Sequence, residues 1–274
     1  MNREAQSAKV VISASRRTDM LSFYSSKLID ILKTKYPLEK VHTLVLWTKD
    51  PRYLVKNSLV SSALSPYNKF VHLTITGLGG TPIEPNVPTT DEALTLVPKV
   101  IEILENDPRK LVIRIDPMLD LTYQGLRYFN LPLFEEIIEC SRSHGVRRFV
   151  TSFCTFYGKV IRRLRKLGVI WNDLAQNNRK ECLNILKGYS KVFDVEILSC
   201  CIEGLPTARC IDGKLLTQLH PRGEPADMRK ALGQRPLCGC TRSVDIGWYT
   251  MQCPGGCLYC YASPIVRTKM SDFD

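Results

Sequence analysis

The run Cys253-Pro-Gly-Gly-Cys257-Leu-Tyr-Cys260-Tyr-Ala has the residue types and spacing for metal or redox chemistry. A C-x3-C-x2-C triplet can place three thiolates around one [4Fe–4S] cube, for which cysteine thiolates are the usual ligands. Three protein ligands leave one iron of the cube open to a substrate or cofactor. Gly255 and Gly256 carry no Cβ and let such a loop wrap tightly. Two other readings stand beside this one. Zinc ribbons also use close cysteine pairs, and Cys257-Leu-Tyr-Cys260 alone has the spacing of a thioredoxin-like redox pair. The full triplet, with its Gly-Gly loop and Tyr-Cys-Tyr-Ala tail, favours iron–sulfur over both.

A second set comprises Cys201, Cys210, Cys238 and Cys240, with Cys200 as a spare neighbour that can replace Cys201. Four cysteines close a coordination shell, either for zinc or for an auxiliary [4Fe–4S] cluster serving electron transfer or substrate binding, with unmetallated cysteines as the remaining reading. A structural metal fits a stretch rich in Gly, Pro, Cys and charge, with little apolar sequence of its own. Of the eleven cysteines, none lies in residues 1–139 and eight lie at or after Cys200, a clustering that suits ligation. Cys140, Cys154 and Cys182 sit in apolar or helical surroundings and read as packing residues.

The elements that must position these groups alternate short apolar runs with amphipathic segments. Strands are expected at Lys9–Ser15, Val41–Trp47, Phe70–Thr76, Leu111–Ile115, Arg148–Phe153, Val195–Ser199 and Ser243–Tyr249, the last running straight into the cysteine triplet. Helices are expected over about 21–35, 90–105, 131–144 and 181–190, and residues 77–88 form a long loop. This rhythm predicts an α/β fold with a parallel sheet, a partial TIM-like (β/α) barrel. One domain over 1–274 is expected, with an irregular cysteine-rich subregion at 200–242 and a strand-and-loop unit at 243–264.

A chain of 274 residues that is 44% hydrophobic and 24% charged reads as globular. No apolar run approaches the roughly 20 residues that span a bilayer, so no membrane partner is expected. The polar start, Met1 to Lys9, lacks the apolar core of a secretion signal, and a cytoplasmic protein with reduced thiols follows as the expectation. The net charge of +11 permits a nucleic-acid or other anionic substrate. The densest basic stretch, Arg162-Arg163-Leu-Arg165-Lys166, reads as a solvated helix face.

Several strand ends carry a family resemblance. Ser13-Ala-Ser-Arg-Arg-Thr-Asp19, Trp47-Thr-Lys-Asp-Pro51, Thr74-Ile-Thr-Gly77 through Ile83-Glu-Pro85, and Arg114-Ile-Asp-Pro117 occur in order. With the cysteine triplet they resemble the spore-photoproduct-lyase-like branch of the radical S-adenosylmethionine proteins. There the cluster motif precedes these segments; here it follows them. The chain from Ile12 to Ala262 also resembles the domain of unknown function 1848 family, a name that implies no reaction. The resemblance implies a circularly permuted radical-SAM barrel, since a closed barrel has no privileged first strand and exposed loops tolerate relocated termini. The C-terminal strand would then pair in parallel beside the N-terminal one.

The resemblance also implies roles. Cys253, Cys257 and Cys260 would hold the catalytic cluster. The open iron would chelate the methionine moiety of S-adenosylmethionine, and a reductant such as ferredoxin or flavodoxin would supply the electron for its cleavage. Lys49 would meet the methionine carboxylate, Thr74 and Thr76 would hydrogen-bond the cofactor, and Glu84 would take a ribose hydroxyl or the amino group. Tyr261 would pack on the cluster or adenine. Arg16, Arg17 and Asp19, with Arg114 and Asp116, would form the catalytic strand ends facing the substrate. A non-catalytic iron–sulfur or zinc protein that binds nucleic acid is the alternative.

Overall fold

The computed structural model describes residues 9–266. Its centre is a sheet of seven strands, every pair parallel: β1 (Val10–Ala14), β2 (Val41–Thr48), β3 (Lys69–Thr74), β4 (Leu111–Arg114), then, after two strands of a separate sheet, β7 (Arg148–Thr151), β9 (Glu196–Ser199) and β10 (Val244–Ile246). The intervening β5 (Asp120–Tyr123) and β6 (Leu126–Phe129), with β8 (Ile170–Asn172), form a small antiparallel sheet in the order β6-β5-β8. The large sheet runs β10-β1-β2-β3-β4-β7-β9. The last strand thus lies beside the first, with Ile12 opposite Val244 and Ala14 opposite Ile246, the parallel pairing expected from the sequence.

Strand residues alternate between two buried faces, as a period of two requires. One face carries Ile12, Ala14, Leu44, Leu46, Val71, Leu73, Leu111, Ile113 and Phe149 into a core shared with the flanking helices. The other carries Val11, Val45, Trp47, Phe70, Val112 and Val150. No row of helices covers that second face. It is packed by Ala208, Cys210, Ile211, Leu216, Leu219, Ala226, Cys238 and Cys240 of the cysteine-rich segment. The segment expected to be poor in apolar residues therefore supplies enough of them to seal one side of the sheet. Its one helix is Gly213–Leu219, capped by the Asp212 carboxylate accepting from the amides of Lys214 and Leu215.

Two expected helices are each broken in two. Over 21–35 the chain forms Met20–Phe23 and Ser25–Lys35, separated by Tyr24, whose hydroxyl donates to the Gln252 carbonyl at 2.6 Å. Over 90–105 it forms Thr90–Leu94 and Val97–Ile103. Pro98 stands in the first turn of the second helix and has no N–H to extend the first. The expected cap at the start of this pair is present, with Thr89 and Glu92 reciprocally bonded. The β5–β6 hairpin turns through Gln124 and Gly125, both at positive φ, a two-residue turn without the usual Asn-Gly signal.

Candidate functional site

Because the strands are parallel, the loops that leave their C-terminal ends share one edge of the sheet. Residues 15–19, 49–50, 75–88 and 115–118 gather there, and so does the cysteine loop that leaves β10. The loop is held by ordinary backbone and side-chain bonds. Leu258 donates its amide to Ile83 O at 3.0 Å, Cys253 donates to Ser263 O at 2.7 Å, and Asn86 Nδ2 donates to Pro254 O at 2.7 Å. Gly256 sits at φ +69, and a Cβ there would stand 3.2 Å from the Pro85 ring, so the loop closes on residues 83–86 only through a glycine. Arg163, from the helix Gly158–Lys166, donates to Leu258 O at 2.9 Å and Cys260 O at 2.8 Å. The basic stretch is thus only partly a solvated face: Arg162, Arg165 and Lys166 are exposed, but Arg163 braces the cysteine loop.

The three sulfurs of this loop lie within electrostatic reach of one another, and Cys257 and Cys260 both feel the Lys49 ammonium. Lys49, at the end of β2, gives a charged hydrogen bond to Glu84 Oε1 at 2.7 Å and another to the Tyr259 hydroxyl at 3.0 Å. Thr76 Oγ1 donates to the same Glu84 oxygen at 2.8 Å, and Tyr259 donates to it as well. Burial acts to lower the Lys49 pKa, but Glu84, followed by the Cys257 sulfur, outweighs it and holds the ammonium above its ordinary value. Burial, then Glu84, pushes the Tyr259 phenol well above its usual range. Glu84 is 0% exposed, and its second oxygen, Oε2, has no hydrogen-bond partner. A buried carboxylate oxygen without a donor is costly, and a ligand bearing an N–H or O–H would relieve it. The crevice around Glu84, lined also by Lys49, Thr74, Thr76, Gly77 and Thr90, leaves no room for a water molecule.

Beside this network lies an arginine-rich strip. Arg16 Nη2 pairs with Asp245 Oδ2 at 3.1 Å, and Arg17 reaches the same carboxylate at 3.6 Å while donating to Gly247 O at 3.1 Å. Asp245, on β10, is the anionic partner that lets two adjacent arginines pack. The Tyr261 hydroxyl donates to Arg16 O at 3.2 Å, and its ring is 40% exposed. Arg114 is buried, pairs with Asp116, and donates to Cys210 Sγ at 3.1 Å. Asp116 also accepts from Ser152. Both Arg16 and Arg114 lie over the ring of Trp47, at 5.7 and 5.1 Å from its centroid, and Trp47 stacks on His72.

Sequence-expected residues fall into three groups here. Lys49, Thr76 and Glu84 join one hydrogen-bonded network with the cysteine loop, and Thr74 lines the same crevice. Arg16, Arg17, Arg114 and Asp116 stand at the same edge but are already paired. Asp19 is engaged otherwise: its carboxylate caps the helix Met20–Phe23 through Ser22 N and accepts from Thr48 Oγ1 and Lys49 N, at 3.0, 2.7 and 2.8 Å. That arrangement fixes the backbone of Lys49 and gives Asp19 a positioning role. Tyr259 and Asp245 carry no role in the sequence reading, and Arg163 was expected on a solvated face. The signal available for Tyr259 was its place between Cys257 and Cys260.

The second cysteine set also gathers. Cys210, Cys238 and Cys240 share one buried cluster on the second sheet face, with Cys200 packed against it. Cys201, expected as a ligand, packs against the same cluster from a left-handed backbone at φ +62, and its neighbour Cys200 accepts from Arg235 Nη2 at 3.1 Å. Among the described residues, no three His, Cys, Asp or Glu side chains already converge on one point as metal ligands would. No described helix is long and apolar enough to cross a membrane.

The family model described as Domain of unknown function (DUF1848) matches residues 11–262, from the second residue of β1 to the alanine after the cysteine loop. The chain belongs to that family. No curated protein matches this DUF1848 chain. Among solved structures, the carboxyl transferase domain from Rhizobium etli pyruvate carboxylase aligns at 10% identity with a TM-score of 0.25, covering 81% of this chain and 44% of that one. So distant a likeness carries no inference about this DUF1848 protein.

Proposed function

We propose that this DUF1848 protein is a radical-SAM-type iron–sulfur enzyme built on a circularly permuted partial (β/α) barrel. The observation that carries the reading is the junction of the cysteine triplet with Lys49, Glu84 and Tyr259 at the strand ends, where the buried Glu84 Oε2 lacks a donor. Three thiols on one glycine-containing loop are the donor set that a cube with one open iron requires. When bound, the cluster and S-adenosylmethionine supply the electron and the carbon-centred radical that begin the reaction.

The chain's own residues have simpler tasks. Cys253, Cys257 and Cys260 ligate. Lys49 attracts a carboxylate, and Glu84 Oε2 accepts from an ammonium or a ribose hydroxyl. Thr74 and Thr76 line the same wall, and Tyr261 offers a partly exposed ring beside Arg16. Opening the crevice for a ligand of this size requires the loop 77–88 or the cysteine loop to shift. The paired Arg16, Arg17, Arg114 and Asp116 would orient an anionic substrate by exchanging partners, and nucleic acid is the first to try given the charge of +11. Ferredoxin or flavodoxin is the class of reductant this chemistry needs.

The test is anaerobic. Reduced protein reconstituted with iron and sulfide should release 5′-deoxyadenosine from S-adenosylmethionine, and Cys257→Ala should abolish release. Lys49→Ala should weaken S-adenosylmethionine binding by about 1.5–3 kcal/mol, the worth of a charge-assisted hydrogen bond. Protein that takes up no iron and sulfide, or cleaves equally fast as Cys257→Ala, would refute the assignment.

A further inference from the structure

We propose that Cys200, Cys210, Cys238 and Cys240 form a four-thiolate site for one tetrahedral divalent ion of zinc's class, which clamps the 200–242 segment onto the sheet. The site is independent of the reading given for the cysteine triplet. Its four thiols come from three separate stretches, and backbone bonds bring those stretches together. Thr241 N donates to Ile211 O at 2.9 Å, which sets Cys240 beside Cys210; Ala231 N donates to Cys240 O at 2.9 Å; and Ala208 N donates to Ser199 O at 2.8 Å. His72 Nε2 hydrogen-bonds the Cys210 carbonyl at 2.7 Å, anchoring that ligand to the centre of the sheet. Cys210, Cys238 and Cys240 are 6%, 9% and 3% exposed, inside the core cluster that seals the second sheet face.

Two features point to a ligand rather than to plain packing. Cys210, Cys238 and Cys240 share one buried cluster and Cys200 packs against it, so four thiols from three separate stretches meet in one patch of the core. Four sulfurs around one tetrahedral ion stand about 3.8 Å apart, from a Zn–S bond of about 2.3 Å, so four neighbouring thiols are the donor set such a shell needs. The charge is the second feature. Arg114 Nη1 donates to Cys210 Sγ and Arg235 Nη2 to Cys200 Sγ, each at 3.1 Å, and Arg16 is within electrostatic reach of Cys210 and Cys240. Neutral thiols are weak acceptors for guanidinium groups. Four thiolates around a divalent cation carry a net double negative charge that these arginines offset.

The ion would also account for the order of this segment. Between residues 200 and 242 the only regular helix is the seven-residue Gly213–Leu219. A coordinated ion fixes such an irregular chain where secondary structure does not.

The test counts metals in full-length protein after passage over a weak chelator. About one zinc per chain is expected in the unsubstituted protein, in Cys253→Ser and in Cys201→Ser, with a roughly tenfold loss in Cys210→Ser and in Cys240→Ser. Should the last two fail to fold, the Cys253→Ser protein loaded with cobalt(II) reports directly: a tetrahedral thiolate site gives intense visible absorption that zinc displaces. The proposal is overturned by zinc retained in Cys210→Ser and Cys240→Ser, by a disulfide among these cysteines with no bound metal, or by a colourless cobalt-treated protein. It is equally overturned if those two variants lose iron and acid-labile sulfide instead of zinc, because the site would then hold a cluster.

Discussion

Replacing Lys49 by methionine tests whether the Lys49–Glu84 pair is what permits a carboxylate to lie buried beside the cysteine loop. Glu84 has a side chain only 1% exposed, and its three donors all converge on Oε1. Without the ammonium, Thr76 and Tyr259 remain as neutral donors to a charge that has left water. Breaking a buried ion pair by removing one partner costs about 3–5 kcal/mol. The Lys49 side chain is 23% exposed, so solvent screens part of the attraction and about 2–3 kcal/mol is the expected loss. The companion variant Lys49→Met/Glu84→Gln removes the stranded charge and should lose only about 1 kcal/mol, the worth of an ordinary hydrogen bond. Urea denaturation at neutral pH, read as a change in midpoint at constant slope, measures both. The signature is a double variant more stable than the single one, a coupling that additive sites do not produce. A Lys49→Met protein within about 0.5 kcal/mol of the parent would refute the reasoning. So would a double variant weaker than the single.

Two further expectations concern the ends of the sheet. Gly247 ends β10 at φ +117, and a Cβ there would lie 2.4 Å from Ser15 Oγ, so Gly247→Ala should lose at least about 2 kcal/mol in the same denaturation assay, with an unchanged midpoint counting against this placement of β10. His42 and His220 pack ring to ring at 4.5 Å, and burial, as the leading cause, lowers the pKa of both; His220 Nδ1 also accepts from the amides of Arg222 and Glu224. Since their folded pKa values lie below the unfolded value of about 6.5, the unfolded chain gains protons first as pH falls. Stability should therefore be full above about pH 6.5 and decline below it, and a His42→Gln/His220→Gln variant should show a shallower decline in urea midpoint.

Strands of the main sheet such as Val41–Thr48, where all eight residues are buried, were readable because they are short apolar runs covered on both faces. Their ends were readable too, which is why Lys49, Thr76 and Glu84 were found together. The β5–β6–β8 sheet was missed because its strands have three or four residues and its hairpin turns on Gln-Gly. The partners of the arginines were missed for another reason: Asp245 lies 229 residues from Arg16, and no local pattern records that pairing. The segment 200–242 looked unable to pack because its apolar residues are scattered singly. Laid across the face formed by Val45, Phe70 and Val112, Ala208, Ile211, Leu216, Leu219 and Ala226 find a place, while Met228, Leu232 and Leu237 stay exposed. The choice between Cys200 and Cys201 also rested on geometry, since adjacent residues are equivalent in spacing.

The pairing of β10 with β1 has a consequence for how the chain is made. β1 ends at Ala14 and its neighbour begins at Val244, so synthesis at about 5–20 residues per second leaves that edge of β1 without a partner for roughly 10–50 s. During that interval the nascent sheet presents a row of unpaired amide and carbonyl groups to any strand that meets it. The segment that satisfies them is followed within seven residues by Cys253. Protection of the sheet and completion of the thiol triplet therefore arrive within one short stretch of translation, and a chain interrupted before it carries neither.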